Sequence, residues 1–271
     1  MNRIPQFIES LLNRLAKQFE ETLGDNFTGF YVHGSLAMNC FDVRRSDIDF
    51  LVVVKDSLCN QTKRELVDHL INSSDHASAK GFDMSVIRQA ELDAFKYPTP
   101  FELHFSNDHL ERYLADRDYC CGDDVDPDLA AHLVITKKRG ICLLGKDIED
   151  VFPEIPRKYY LQSIIQDSEW SFNNIARAPE SGECDVPLYA VLNFCRVLAY
   201  IKDGLVTSKR EGGKWGIENL PPEYSPLIEQ ALHRYESKVS AKVQASLLRE
   251  FAEYARSIYQ NVPTAGQECE S

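Results

Sequence analysis

Apolar and polar residues alternate along the first half of the chain in two different periods. Residues 4–23 place an apolar side chain at every third or fourth position, which predicts an amphipathic helix that ends at Gly24. Two apolar runs of strand length follow at 27–32 and 50–54, and both are rich in β-branched and aromatic residues. Further along, the pattern predicts a helix over 61–72, strands over 81–87 and 101–106, and between these strands a short helix over 90–97 that Pro98 and Pro100 end.

The pattern changes towards the second half of the chain and is entirely helical beyond Pro156. Residues 128–143 predict a helix followed by a short strand, and two prolines then mark a linker. Beyond Pro156 the apolar spacing predicts helices over 160–175 and 187–202, a third after Pro221 and Pro222, and a last one over 243–260. We therefore expect an α+β chain with two domains, residues 1–156 and residues 157–271.

Composition narrows the class of protein. The 271 residues carry a net charge of −12, with 44% hydrophobic and 27% charged residues, which is typical of globular domains. A general nucleic-acid binder would show a basic surface, so we expect no nucleic-acid partner. An acidic surface suits a cationic small substrate, although the same charge also serves solubility alone.

The N-terminal helix and the cysteines indicate the compartment. The first 24 residues form an amphipathic pattern and not a signal peptide, and no long apolar run predicts a membrane span. Eight cysteines occur without a Cys-x-x-Cys pair or zinc-ligand spacing. We expect reduced thiols in a cytoplasmic protein that does not bind a membrane.

The densest group of candidate chemical residues lies between the first two strands. Gly34 and Ser35 form a small-residue turn after the first strand, and Asp47 and Asp49 introduce the second. On a strand, residues two apart share a face, so the two carboxylates would repel each other unless a cation lay between them. Mg²⁺, which takes carboxylates together with phosphate oxygens, fits this pattern. The alternative is a solvated strand end.

A further carboxylate beside the pair would ligate metal or accept a proton from an attacking hydroxyl. Two residues qualify by pattern, Asp83 on the strand over 81–87 and Glu102 on the strand over 101–106. Each would equally serve as a polar residue on the wet side of its strand, so the pattern alone leaves the choice open.

A signature of the polymerase-β-like nucleotidyltransferase superfamily resembles residues 33–49 of this chain. There, HGS is followed by eleven residues and then by DID. The resemblance implies an N-terminal domain with a mixed sheet and flanking helices. It also implies that Gly34 and Ser35, with Ser46 beside the aspartates, bind nucleotide phosphates. Asp47 and Asp49 would bind two Mg²⁺ ions, with ATP as the donor substrate.

The run TPFELHFS is similar to a segment of aminoglycoside nucleotidyltransferases of the streptomycin/spectinomycin type, where a Glu-Leu pair carries the catalytic base. This resemblance favours Glu102 as base and metal ligand, and it leaves Asp83 as the second choice.

Residues 187–224 are similar to the C-terminal helical domain of the same enzymes. The resemblance implies that Arg196 and Lys209 reach the nucleotide phosphates. Arg196 interrupts an apolar helix, where a charge needs a partner, so a salt bridge with a carboxylate is the alternative. Lys209 lies in the run KREGGK, whose default interpretation is a solvated stretch of charge.

Two residues of the second domain are candidates for contact with the acceptor. Trp170 aligns with a helix position where family members place an aromatic ring against the drug, although a tryptophan in an amphipathic helix commonly packs in the core. Asp185, in an insertion before Arg196, would meet a cationic aminocyclitol.

The resemblance therefore implies an adenylyltransferase that moves AMP from ATP to a hydroxyl of streptomycin or spectinomycin and confers resistance. We expect the protein to be a monomer. One alternative is an enzyme of the same fold that acts on another small-molecule or protein hydroxyl. The other is a nucleotide-binding homologue without turnover.

Overall fold

A computed structural model describes residues 4–177, 182–185, 187–237 and 242–263. The chain divides into two compact units, Met1–Ile155 and Pro156–Ser271, called unit 1 and unit 2 below. Each unit has its own hydrophobic core.

Unit 1 combines short and long elements of both kinds. In chain order they are α1 (Gln6–Leu23), β1 (Phe27–Val32), α2 (Gly34–Ala37), β2 (Ile48–Val54), α3 (Asn60–Ser73), β3 (Phe82–Arg88), α4 (Gln89–Asp93), β4 (Thr99–Phe101), β5 (Leu103–Phe105), α5 (Asn107–Ala115), β6 (Asp124–Asp126), α6 (Leu129–Arg139), β7 (Ile141–Gly145) and α7 (Ile148–Val151).

A five-stranded mixed sheet organises unit 1. Its strand order is β5-β3-β2-β1-β7, and β2 and β3 run parallel while the other neighbours are antiparallel. The parallel register pairs Asp49 with Asp83. This register brings together two carboxylates that lie 34 positions apart in the sequence. A separate two-stranded ribbon joins β4 to β6.

Aromatic residues fill the core between the sheet and α1. The rings of Phe30 and Phe50 stack with centroids 4.3 Å apart, and Phe19 meets both rings edge-on at 5.8 and 6.2 Å. All three side chains are fully buried. The predicted first helix and the first two predicted strands are therefore confirmed, because their apolar faces meet in one core.

Unit 2 is mainly helical. Its elements are α8 (Arg157–Ala176), β8 (Glu183–Asp185), α9 (Leu188–Asp203), α10 (Lys209–Asn219), α11 (Ser225–Ser237), β9 (Lys242–Gln244) and α12 (Ala245–Tyr259). β8 and β9 form a short antiparallel pair, which the helical pattern did not predict.

Glycines let α10 lie directly on α9. A Cβ atom at Gly212 would come within 2.7 Å of the Arg196 Cγ, and one at Gly216 within 2.8 Å of the Cys195 sulphur. The helix begins at a capping box, in which Ser208 and Glu211 bond each other's backbone N–H groups. The alternative considered for the run KREGGK, a solvated stretch of charge, did not predict a helix, and the buried residues here are Gly212, Gly213, Trp215 and Gly216.

Two local differences from the predicted elements affect the candidate site. β2 begins at Ile48, so Asp47 lies just before the strand and not on it. The predicted strand over 101–106 is interrupted at Glu102, with β4 ending before it and β5 beginning after it.

Among the helices of the described residues, none has the length and apolar character needed to cross a membrane.

Candidate active site

Three carboxylates converge at the start of β2 and β3. Oxygen atoms of Asp47, Asp49 and Asp83 all lie within 4.8 Å of one another. The parallel register places Asp49 beside Asp83, and Asp47 joins them from the connection that precedes β2. The three side chains are partly buried. Carboxylate oxygens at this spacing are the donor set that a hard divalent cation takes.

The electrostatics of the cluster favour a cation. Burial, followed by the charges of Asp47 and Asp83, raises the pKa of Asp49 well above its ordinary value. Burial also raises the pKa of Asp83 to about 6, with a further contribution from Asp47. Like charges in a poorly solvated place repel each other, and a bound cation would relieve that repulsion.

The Gly34-Ser35 turn wraps around the Asp49 carboxylate. Gly34 has a φ of +57°, and a Cβ atom there would collide with the carboxylate of Asp49. The backbone N–H of Ser35 donates to that carboxylate, which lowers its pKa and partly offsets the effect of burial. Glycine is therefore required at position 34 both for its conformation and for the close approach.

Two serines border the aspartates. The Oγ of Ser35 is buried and has no hydrogen-bond partner among the described residues. The Oγ of Ser46 accepts a hydrogen bond from the backbone N–H of Asp42 at 3.1 Å, which closes the turn before Asp47. A buried hydroxyl without a partner is uncommon, and at Ser35 it leaves a donor available to a ligand.

His132 on α6 is a member of the site that the sequence did not reveal. Its Nε2 lies 3.3 Å from the Asp128 carboxylate. Burial alone would lower the pKa of His132, but the hydrogen bond to Asp128 and the charges of Asp128, Asp83 and Asp49 outweigh it and raise the pKa to about 10. A protonated imidazolium therefore lies close to the aspartates.

His33, directly before the turn, remains neutral beside that cation. Its ring centroid lies 4.9 Å from that of His132. Burial, followed by the charge of His132, lowers the pKa of His33 well below its ordinary value. No motif in the sequence connects positions 33 and 132, since only the fold brings them together.

Glu102, predicted as catalytic base and metal ligand, is not a member of this cluster of three carboxylates. Its backbone N–H donates to the carbonyl of Val86 at 2.8 Å. Val86 lies three residues beyond Asp83 on β3, or about 10 Å along the strand. The cluster of three carboxylates therefore contains Asp83, the second choice, in place of Glu102.

The carboxylate of Glu102 has its own partners. It accepts a hydrogen bond from the backbone N–H of Leu58 at 2.9 Å and pairs with Arg88 at 3.0 Å and Lys63 at 3.8 Å. The Lys63 and Glu102 side chains are only 2% and 7% exposed. A buried carboxylate held by two cations and an amide has the character of a structural residue.

Arg196 on α9 is held by neutral acceptors. Its Nε donates to the carbonyl of Thr207 at 2.9 Å, and one Nη donates to the side-chain oxygen of Asn193 at 3.4 Å. Within the described part of the chain no carboxylate pairs with it, so the salt bridge considered from the sequence is not found there. The guanidinium is partly exposed and keeps its charge available for an anion.

Lys209, the first residue of α10, lies over an aromatic ring. Its Nζ is 4.5 Å from the centroid of the Tyr189 ring. The hydroxyl of Tyr189 donates to the carboxylate of Asp167 at 2.8 Å. The N-terminus of a helix also favours anions, so Lys209 and the backbone of α10 provide positive character at the same place.

Trp170 is exposed and not part of the core. Its side chain is 65% exposed, and its ring meets that of Tyr189 edge-on at 6.1 Å. The core alternative considered from the sequence is therefore wrong. Asp185 ends β8, and its side chain lies outside the part of the chain that the structure describes.

Comparison with known proteins gives relatives for both units. A family model described as the C-terminal domain of aminoglycoside adenylyltransferase matches residues 150–258. The spectinomycin 9-adenylyltransferase of Staphylococcus aureus is 25% identical over 238 residues, which covers 83% of this chain and 84% of the relative. The aminoglycoside (3'') (9) adenylyltransferase of Klebsiella pneumoniae is 23% identical over 267 residues, which covers 92% of this chain and 96% of the relative.

A solved structure has the same fold. A crystal structure of an Enterococcus spectinomycin adenyltransferase, with ATP and spectinomycin, matches with a TM-score of 0.74 and 22% identity over 93% of this chain and 99% of that chain. The predicted fold class is confirmed. The predicted resemblance to aminoglycoside adenylyltransferases is also confirmed, and the same relatives support the prediction of a nucleotidyltransferase enzyme.

Proposed function

We propose that this protein transfers AMP from ATP to a hydroxyl of an aminoglycoside or aminocyclitol, with spectinomycin and streptomycin as the acceptors to test, and releases pyrophosphate. The observation that carries the proposal is the convergence of Asp47, Asp49 and Asp83 beneath the Gly34-Ser35 turn. Relatives named as adenylyltransferases for these drugs support it.

The donor set of the three aspartates fits Mg²⁺. Two Mg²⁺ ions, when bound, would neutralise the charge that the phosphates develop during transfer. Asp47 and Asp49 would hold them, since oxygens of the two carboxylates lie within 4.8 Å of each other.

Asp83 would act as the base. In the transfer, the acceptor oxygen forms a bond to the α-phosphorus while the bond to the bridging oxygen breaks and pyrophosphate leaves. The proton of the acceptor hydroxyl then goes to the Asp83 carboxylate. Asp83 suits this role because its carboxylate lies within 4.8 Å of those of Asp47 and Asp49, next to where the metal-bound phosphate would react.

Candidate phosphate-binding groups are present in each unit. Ser35 has a buried hydroxyl without a partner among the described residues, and Gly34 allows the backbone to approach closely. Ser46 would support the same turn. In unit 2, Arg196 offers a planar pair of donors and Lys209 a mobile point charge.

The acceptor would be recognised as a cation with apolar faces. Trp170 exposes a large aromatic ring, and an ammonium group over such a ring is attracted to it. Asp185 and the net charge of −12 would add attraction at longer range.

The test is a transfer assay with the purified protein. ATP, Mg²⁺ and either spectinomycin or streptomycin should release pyrophosphate, and mass spectrometry should show AMP attached to the drug. Asp83→Asn should abolish transfer. Asp25→Asn, which changes an exposed aspartate away from the cluster, serves as the matched control and should not.

Each arm of the assay has its own contrary result. Pyrophosphate release that requires neither drug would refute the choice of acceptor and leave nucleotidyl transfer in place. ATP binding without pyrophosphate release across a panel of hydroxylated acceptors would refute enzymatic turnover. Full activity of Asp83→Asn would refute the assignment of the base.

A further inference from the structure

The geometry points to Asp167 as a positioning residue that orients two nucleotide-binding side chains of unit 2, Arg196 and Lys209. The inference rests on the proposed function, because it takes these two cations as the groups that bind the phosphates of ATP. Asp167 itself lies on α8, and none of its described contacts is with a charged group of the proposed site.

The carboxylate of Asp167 holds two side chains of α9. Its Oδ2 accepts a hydrogen bond from the hydroxyl of Tyr189 at 2.8 Å and another from the amide nitrogen of Asn193 at 2.9 Å. The second oxygen also lies 3.1 Å from the Tyr189 hydroxyl. Tyr189 and Asn193 are one helical turn apart, so one carboxylate fixes both.

The first branch leads through Asn193 to Arg196. An ionised carboxylate only accepts hydrogen bonds, so the amide of Asn193 must direct its nitrogen towards Asp167. Its carbonyl oxygen then faces the guanidinium of Arg196, where the Nη1 donates at 3.4 Å. Asn193 is 4% exposed, so water does not compete for this arrangement. Asp167 therefore determines that Arg196 meets an acceptor and not another donor.

The second branch leads through Tyr189 to Lys209. A hydroxyl that donates to a carboxylate keeps the ring in one orientation, and the Lys209 Nζ lies 4.5 Å from the centroid of that ring. An ammonium is attracted to an aromatic face, and this attraction biases the rotamers of a flexible lysine. Both cations are thus linked to one carboxylate that contacts neither.

Asp167 would preorganise Arg196 and Lys209 for phosphate binding. A long cationic side chain loses rotamer freedom when it binds a phosphate, and a side chain already held in place loses less. Asp167 would therefore affect the affinity for the phosphates and leave the adenosine moiety unaffected.

The experiment uses the full-length protein and the near-isosteric variant Asp167→Asn. We expect its Kd for ATP to rise on the order of 5- to 10-fold, as for the loss of one or two hydrogen bonds that involve a charged group. The Kd for adenosine, which has no phosphates, and the KM for the drug should change less than about 2-fold. Glu169→Gln, which removes an exposed carboxylate from the same helix, is the matched control and should leave all three constants unchanged.

A double-mutant cycle tests the route. In the background of Arg196→Ala, the change Asp167→Asn should weaken ATP binding less than it does in the parent protein, because one branch has already been removed. Tyr189→Phe, which keeps the ring but not its hydroxyl, should reproduce part of the loss.

Several results would overturn the inference. An equal loss for ATP and adenosine would indicate that Asp167 only stabilises unit 2, and a higher KM for the drug with unchanged ATP affinity would place it in acceptor binding. An unchanged Kd for ATP would remove its role outright. If Arg196→Ala itself left ATP binding unchanged, the proposed role of Arg196 would fail together with the inference, whereas a loss with Arg196→Ala and none with Asp167→Asn would refute the inference alone.

Discussion

The candidate groups of unit 1 and those of unit 2 are built on opposite electrostatic arrangements. In unit 1, neighbouring strands force three carboxylates of the same sign within 4.8 Å of one another. In unit 2, helices hold Arg196 against neutral oxygens and Lys209 against an aromatic ring. The described contacts of the Asp167 carboxylate are with the neighbours of these cations and not with the cations themselves.

The difference shows what each part needs from a ligand. The aspartates repel each other, so the folded protein is less stable with them ionised than it would be with neutral side chains. Arg196 and Lys209 in unit 2 already have partners. A ligand that binds them therefore costs less conformational entropy, because their side chains are ordered before it binds. We therefore expect substitutions of the three aspartates to lower activity and raise stability, and substitutions of Arg196 and Lys209 to change affinity alone.

The largest effect should come from Asp49→Asn. Loss of a carboxylate that we propose binds metal should reduce turnover on the order of 10³-fold. The metal-free variant should nevertheless be more stable than the parent by about 1 kcal/mol, because burial and the charges of Asp47 and Asp83 disfavour the ionised Asp49. Turnover and chemical denaturation in the presence of a chelator measure the two quantities. A variant that lost stability along with activity would contradict the comparison.

Glu102→Gln should show the opposite behaviour. Loss of the Glu102 charge should lower the free energy of unfolding by about 2 kcal/mol, because Lys63 and Arg88 each lose one of two carboxylate partners and keep Asp123 and Glu91. Turnover per folded molecule should remain within about 2-fold of the parent, since Glu102 lies about 10 Å along the strand from Asp83. Denaturation curves and active-site-normalised rates separate the two effects. A fall in turnover without loss of stability would restore Glu102 as the base.

A smaller effect should depend on pH through His132. Burial lowers the pKa of His132, but its hydrogen bond and its acidic neighbours raise the pKa to about 10, above the ordinary value of about 6.5. The folded state therefore holds this proton more tightly than the unfolded state. The resulting stability should be fully present below about pH 6.5 and lost as the pH rises towards 10.

Asp128→Asn tests that dependence in metal-free protein. The parent should exceed the variant in unfolding free energy by about 2 kcal/mol at pH 6.5, and the difference should shrink by pH 10. Denaturation at several pH values measures it. A difference that stays constant across this range would show that the pair does not act through the proton on His132.

The smallest effect on the protein itself should come from Trp170→Ala. Loss of this exposed ring, which we propose contacts the drug, should raise the KM for the drug about 5-fold and leave the thermal midpoint within about 1 °C. Trp215→Ala is the matched control, since Trp215 is buried and donates to Asp203 at 2.6 Å. The control should lower stability by about 3 kcal/mol. Equal stability losses in both variants would contradict the assignment of Trp170 to the surface.

Much of the fold was predictable because burial on one face leaves a period in the sequence. The periodic apolar positions of α1, β1 and α9 each match an element of the structure within a few residues. α10 was missed because its buried face consists largely of glycine, which carries no hydrophobic signal.

The site was predictable only where its residues are close in sequence. Gly34, Asp47 and Asp49 lie within one strand-turn-strand stretch, and the pattern of small and acidic residues identifies them. The choice of Asp83 over Glu102 depends on the parallel register of two strands, which the sequence of either strand does not specify. The structural partners of Glu102 are likewise distant in the chain.

The glycines of α10 also have a consequence for local unfolding. Glycine weakens an isolated helix by about 1 kcal/mol for each residue relative to alanine, and this 11-residue helix contains three, at 212, 213 and 216. Substitution by alanine would normally stabilise such a helix, but at Gly213 the added Cβ atom would lie only 2.7 Å from the Leu232 side chain. α10 is therefore helical only while its neighbours remain packed on it. Its backbone amides should exchange with deuterated solvent together with those of α9, as one cooperative unit, and not by fraying independently.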